Sequence, residues 1–220
     1  EQGPILEAEG KVIGIVTGVQ GMRWYEVTVR GQESHTGATP MGLRKNALLG
    51  ASRMIEAIHQ VGMAHLPGVA SVGLIENRPN SRNVVPGEVF FTVDLRHPDE
   101  KVLDQMEAAY QAALPKIAAE LNLELEEKRI WNSPAVKFAP DLIQCVREGA
   151  KQAGLSSREM ASGAGHDAAY INRVAPTTMI FVPCLGGISH NESESTTLEE
   201  CGAGTQVLLN AVLAHDRSFA

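Results

Sequence analysis

The sequence lacks the marks of a disulfide scaffold, a membrane span or a nucleic-acid surface. Its three cysteines, Cys145, Cys184 and Cys201, stand far apart with no C-x-x-C pair. That excludes a disulfide framework and suggests reduced thiols in a cytosolic protein. No apolar run approaches the length of a bilayer span, and the best of them, "MIFVP", is strand-sized. Basic residues do not dominate: a formal net charge of −7 argues against nucleic acid or an anionic membrane as a partner. The sequence has no P-loop, no G-x-S-x-G and no dinucleotide glycine pattern, and no cysteine has a plausible catalytic neighbour. Internal repeats and low-complexity segments are absent too. The opening "EQGPILEAEG" shows neither an initiator Met nor a charged leader before an apolar core, so the chain is expected to be processed or to be a piece of something longer.

What is present is ordinarily globular. The 220 residues are 44% apolar and 20% charged, enough for one large domain or two modest ones. "KVIGIVTGVQ" reads as a short buried strand. "RWYEVTVRG" alternates with period two and reads as a half-buried one. After the loop "SHTGATP", Leu48, Ala51, Ile55, Ile58 and Gly62 fall at helical spacing from about Pro40 onward. "GVASVGLIEN" and "GEVFFTVDLR" are strands around a turn-rich stretch. A second helix starts at Pro98 and Asp99. Its stripe of Leu103, Met106, Tyr110, Ala113, Ile117 and Leu121 is interrupted by Pro115, which should kink it. "LELEEKRI" closes with a charged strand.

The order over residues 22–130 is thus β-α-β-β-α-β, the ferredoxin-like signature of two helices on one face of an antiparallel sheet, with edge strands to which a second copy could add. Beyond "WNSPAV", helices and strands alternate as in half of a parallel α/β domain. The expected fold is therefore α/β: a ferredoxin-like module at 22–130 inserted into a partial parallel α/β domain made of 1–21 and 131–220.

Several residues could carry chemistry. His190, in "CLGGISHNESESTT", suits a metal ligand held by a loop after a buried strand, and equally a plain loop histidine. Asn83 and Arg96 could clamp a carboxylate through a guanidinium fork and an amide. Alternatively Arg96 pairs with Asp94 on the same strand face and Asn83 stabilises its turn. His35 could donate a proton or stabilise an oxyanion, or be a surface residue beside a helix capped by Thr36 or Thr39 with Pro40 in its first turn. The turn Gly163–Gly165 before His166 and Asp167 suits an anion or carbonyl, or simply caps a helix. His59, His65, His97 and His215 read as structural.

The motifs "EQGPILE", "SHTGATPM", "NSRNVVPG", "DLRHPD", "SGAGHDA" and "ISHNESE", in that order across essentially all 220 residues, resemble the metal-dependent amidohydrolases of the peptidase M20 superfamily. The nearest branch is that of N-carbamoyl-L-amino-acid hydrolases, ureidopropionases and allantoate amidohydrolases. The resemblance implies a dimerising lid inserted in a catalytic domain with two divalent ions (Zn, Mn, Co or Ni) and a ureido or N-carbamoyl acid as substrate. By likeness, His190 is a metal ligand, and Asn83 and Arg96 grip the substrate carboxylate. His35 reaches a neighbouring subunit's site to stabilise the oxyanion, while Gln20 and, through its backbone, Gly165 touch substrate. The family writes "SHAGTTPM" where this chain has "SHTGATPM", which leaves the histidine in place. Its remaining metal ligands and its general-base glutamate lie upstream of E-Q-G-P. The chain is accordingly expected to be a C-terminal portion, cytoplasmic, unable to hold the ions alone and catalytically inert by itself. The alternatives are an M20 dipeptidase or aminoacylase, or a dimerising fragment without catalysis.

Overall fold

The structure, a computed structural model, describes residues 2–217. It falls into two compact units, one formed by the residues up to Gln20 with those from Ala135 onward, the other by Gly21–Pro134. The first begins with α1 (Ile5–Ala8) and β1 (Ile13–Val19). The chain then builds the second from β2 (Gly21–Arg30), β3 (Ser34–His35), α2 (Ala47–Ala64), β4 (Val69–Ser71), β5 (Ile75–Arg78), β6 (Val84–Val85), β7 (Glu88–His97), α3 (Glu100–Glu120) and β8 (Glu124–Ser133). It returns to the first with β9 (Val136–Lys137), α4 (Pro140–Gln152), β10 (Ser157–Ser162), α5 (Asp167–Ile171), β11 (Met179–Phe181) and α6 (Leu198–Arg217). No helix among the described residues is long and apolar enough to cross a membrane.

The second unit has the β-α-β-β-α-β order read from the sequence. Its antiparallel sheet runs β4-β7-β2-β8, with β5 pairing β7 along the same edge as β4. "GVASVGLIEN" is therefore one edge strand broken in two. Burial alternates strictly along β2 and β7 because successive side chains point to opposite faces. One face, including Tyr25, Val27, Val29, Phe91, Val93 and Leu95, packs against Met54 and Ile58 of α2 and Leu103, Met106, Tyr110 and Leu114 of α3. Arg23 also points to the helix side, where its buried guanidinium bonds Glu100 at 2.7 Å and also reaches Asp104 and Glu107. Tyr25 shares Glu107, and burial, then that carboxylate, pushes its phenol well above the usual range.

Helix α2 departs from its expected limits. It begins at Ala47 rather than near Pro40. Asn46 caps it, accepting from Leu48 N and Leu49 N at 3.1 Å each, so neither Thr36 nor Thr39 is the cap. The buried stripe is Ala47, Gly50, Ala51, Met54, Ile58, Val61 and Gly62, leaving Leu48 exposed and Ile55 half-buried. Apolar residues occur on more than one side of this helix, so spacing alone left its phase open. The small residues went inward because they let the helix sit close on the sheet. Helix α3 starts on its Asp99 cap and runs without interruption past Pro115.

In the first unit β1 is central, flanked by β10 and β11, with β9 pairing its far end. Parallel pairing holds for β1 and β10 but not for β11, which runs antiparallel to β1. The link from Ser162 to Met179 is long enough for a crossover, so the direction of β11 is set by its pairing on β1 and not by the length of the chain before it. The core joins Ile13, Ile15, Val16 and Val19 of β1 to Ile143 and Val146 of α4 and Val207 and Ala211 of α6. The two helices meet where Gly149 leaves room and its carbonyl accepts from Asn210 Nδ2 at 3.1 Å.

Losing the Asn46 cap isolates one local term. Asn46→Ala should lower unfolding stability by about 1 kcal/mol, read from the midpoint of urea denaturation followed by circular dichroism. A change under about 0.3 kcal/mol would show that the cap does not hold α2 in place.

Candidate functional site

Three of the candidate residues lie on the second unit, and the structure places two of them together. His35 and Asn83 lie one pair apart where the chain pairs again beyond Arg30 and Glu88. There His35 pairs with Val84, and Thr36 N donates to the Asn83 carbonyl at 3.1 Å. Both residues are exposed. The His35 ring is set by its own loop: Gly37 N and Ala38 N donate to Nδ1 at 3.0 and 3.1 Å. That network assigns the proton of the neutral ring to Nε2 and makes Nε2 a donor. Arg44 staples the loop by donating to the carbonyls of Thr36 (2.6 Å) and Thr39 (2.9 Å). Nothing in the sequence singled out Arg44; its only signal is a cation in the turn that follows the histidine loop. The Asn83 amide oxygen accepts from Ser81 Oγ at 2.8 Å.

Arg96 is elsewhere. It sits at the far end of β7, paired with Met22 and Val69. From Glu88 to Arg96 that strand alone advances roughly 27 Å at about 3.4 Å per residue. Asn83 and Arg96 of one chain are therefore not brought to a common carboxylate. On the open face of the sheet, Arg96 lies half-buried with its fork on Asp94: Nε to Oδ1 at 3.0 Å and Nη2 to Oδ2 at 2.6 Å. The acid thus fixes the plane of the guanidinium through a paired contact, the geometry by which arginine recognises carboxylates.

The other three candidates lie on the first unit. Gln20 follows β1 and donates its backbone N–H to the Ser162 carbonyl at 3.0 Å, which sets it beside the turn carrying Gly165. Ser162 is fully buried and ties that turn through Ala164, donating to its carbonyl at 2.9 Å and accepting from its N–H at 3.2 Å. The Gln20 side chain lies against Gly163, and its Oε1 is buried with no partner among the described residues. Buried polar atoms without partners are rare, and in a binding site such an atom awaits a donor.

His190 occupies an exposed loop with φ +57°, a left-handed conformation that is uncommon for a residue with a side chain and collects at functional sites. The surroundings hold it there. Its N–H donates to Glu194 Oε2 at 3.1 Å, and Ser189 Oγ lies 2.7 Å from Nδ1, the kind of contact that orients a metal-binding imidazole. The loop is anchored at both ends. Downstream, Thr197 and Glu200 form a reciprocal capping box at the start of α6, and the Thr197 bonds hold the Glu200 carboxyl below its usual range. Upstream it packs on the segment after Glu1. Gln2 Nε2 donates to Cys184 Sγ at 3.2 Å, and a Cβ on Gly187, itself at φ +65°, would come within 2.4 Å of Pro4 N. The "QGP" and "GGISH" motifs therefore meet in space. As a metal centre the fit is partial: His190 suits one ligand, and among the described residues no group of three or more His, Cys, Asp or Glu could hold an ion.

The Pro4 contact yields a direct expectation. Gly187→Ala should separate this loop from the segment at Pro4, costing about 1–3 kcal/mol of strain and raising amide exchange across residues 184–196. Unchanged exchange in that stretch would refute the contact.

Residues 1–214 match the profile of Peptidase family M20/M25/M40. The chain is 49% identical over 214 residues to an N-carbamoyl-L-amino-acid amidohydrolase of Rhizobium meliloti, covering 97% of this chain and 51% of that protein. Against the allantoate amidohydrolase of Escherichia coli K12 it is 35% identical over 209 residues, covering 94% and 51%. Among solved structures, a hydantoinase/carbamoylase family amidase from Burkholderia multivorans superposes with a TM-score of 0.95 at 54% identity, covering 97% of this chain and 52% of that one. The chain spans about half the length of the relatives it matches, and it belongs to the peptidase M20 family.

Proposed function

We propose that this chain is the lid and part of the catalytic domain of a divalent-metal amidohydrolase. Its reaction is cleavage of the carbamoyl C–N bond of N-carbamoyl-L-amino acids or related ureido acids, releasing the amino acid, CO₂ and ammonia. The observation that carries the proposal is the likeness, over nearly the whole chain, to the Rhizobium meliloti amidohydrolase. Each group has a part that its chemistry suits. Arg96, aimed by Asp94, takes the carboxylate. The unsatisfied Gln20 Oε1 accepts an N–H of the ureido group, with the backbone at Gly165 beside it. His35 Nε2–H donates to the oxygen on which negative charge develops. His190 is one metal ligand, and the ions, when bound, polarise the ureido carbonyl and acidify a water.

The distance between the lid's two groups supports a homodimer. His35 and Asn83 travel together at one end of β7 and Arg96 at the other, so one active site takes the pair from one copy and the arginine from its partner. Asn83 then acts with His35 across the dimer and not with the arginine of its own chain. The chain alone supplies one metal ligand where zinc usually needs three from protein, which favours inactivity of the isolated 220 residues.

Three measurements test this reading. In an active enzyme containing this chain, Arg96→Ala should lower kcat/KM for N-carbamoyl amino acids by about a hundredfold or more, and a change under about threefold would remove Arg96 from the site. Initial rates on N-carbamoyl amino acids, allantoate and dipeptides rank the substrate classes, and a preference for dipeptides would defeat the carbamoyl assignment. Elemental analysis of the isolated chain should find less than one tightly held divalent ion per protomer. Two ions together with turnover would show that it is complete by itself.

A further inference from the structure

We propose that Trp24 and Trp131 form the shelf on which the substrate's side chain rests, so that the preferred ureido acids carry a bulky apolar side chain. The inference builds on Arg96 as the carboxylate ligand. Strand register places the shelf. On the open face of the lid sheet, one row across the strands reads Ser71, Asp94, Trp24, Trp131, and the next reads Val69, Arg96, Met22, Ser133. Side chains directly opposite on adjacent strands stand about 4.5–5.5 Å apart at Cβ. The indole of Trp24 therefore neighbours the carboxylate that aims Arg96, and Trp131 continues the surface beyond it.

Two observations mark the pair as built for contact. The rings sit side by side, centroids 6.2 Å apart and tilted by 38°, yet Trp24 remains 37% exposed and Trp131 46%. They are the only two tryptophans of the chain, and a protein that merely needed to fill its core would have turned them inward. The second observation is a break in register. Tyr25 pairs with Arg129 but Trp24 pairs with Trp131, so β8 carries one extra residue, Ile130, at this point. Without that bulge Ile130 would stand opposite Trp24; with it, Trp131 does. Bulges beside binding sites commonly serve to re-aim a side chain in this way. An α-amino acid derivative carries its side chain and carboxylate on the same carbon. Once the carboxylate is held by the Arg96 guanidinium beside Asp94, a leucine-sized group reaches Trp24 while the carbamoyl group points away.

Both indoles report on the shelf, so ligand binding is read by tryptophan emission of the 220-residue chain, with calorimetry as a second measure. N-carbamoyl-L-leucine should give a saturable change and bind about tenfold or more tightly than N-carbamoylglycine or allantoate. Trp131→Ala and Trp24→Ala should bring the leucine-to-glycine ratio below about threefold. Trp131→Phe, which preserves an aromatic surface and guards against misfolding, should retain most of the preference. Arg96→Ala should abolish binding of all three compounds. Loss of all binding in Arg96→Ala with the ratio intact in Trp131→Ala overturns the shelf and leaves the carboxylate reading standing. Undiminished binding in Arg96→Ala overturns both. The shelf is also overturned if no compound gives a saturable change, or if Trp131→Ala turns a dimer into a monomer in light scattering, since a second copy would then cover this face.

Discussion

The antiparallel ladder between β2 and β7 positions every candidate residue of the lid. It runs from Gly21 opposite His97 to Arg30 opposite Glu88 and then resumes, one residue out of step, with Ser34 opposite Val85 and His35 opposite Val84. Because side chains alternate along a strand, this register decides which groups face α2 and α3 and which face away. Arg23 is turned toward the helices and is used up in holding α3. Arg96 lies on the opposite face with its Nε and Nη2 on Asp94. Sliding β2 by one residue against β7 would turn Arg23 to the open face and take Tyr25, Val27 and Val29 out of the core.

The same ladder separates the candidate groups by length. A strand is a stiff ruler, and the stretch from Glu88 to Arg96 is too long for one small molecule to touch both ends. His35 with its loop, stapled by Arg44, and Asn83 lie at one corner; Asp94, Arg96 and the two tryptophans lie at another.

In the first unit the candidate residues sit on backbone arrangements that cost energy to hold. His190 sits in a left-handed conformation secured by Ser189 and Glu194, and Gly187 presses on Pro4 where no side chain fits. Gln20 keeps an amide oxygen buried without a partner among the described residues. Each is unfavourable taken alone and persists because β1, β10, β11 and α6 hold the ends of the loops. Such sites pair a rigid scaffold with a strained or incomplete local group that a ligand completes.

Much of this could be read from the residues in order. Alternation of apolar and polar positions in β2 and β7, the Asp99 cap and the Gly-rich turns belong to neighbours in sequence, and so the β-α-β-β-α-β order and the motif histidines were legible there. Helix α2 shows where that reading stopped: with apolar residues on several sides, only the sheet beneath chose which of them to bury. The direction of β11, the meeting of Pro4 with Gly187, the distance between Asn83 and Arg96, and the bulge that exchanges Ile130 for Trp131 all concern residues far apart in the chain or the register of one strand against another. Local propensity specifies the elements because it depends on adjacent residues. Which groups share a face and which are kept apart depends on pairing across the fold, and only the tertiary structure decided that.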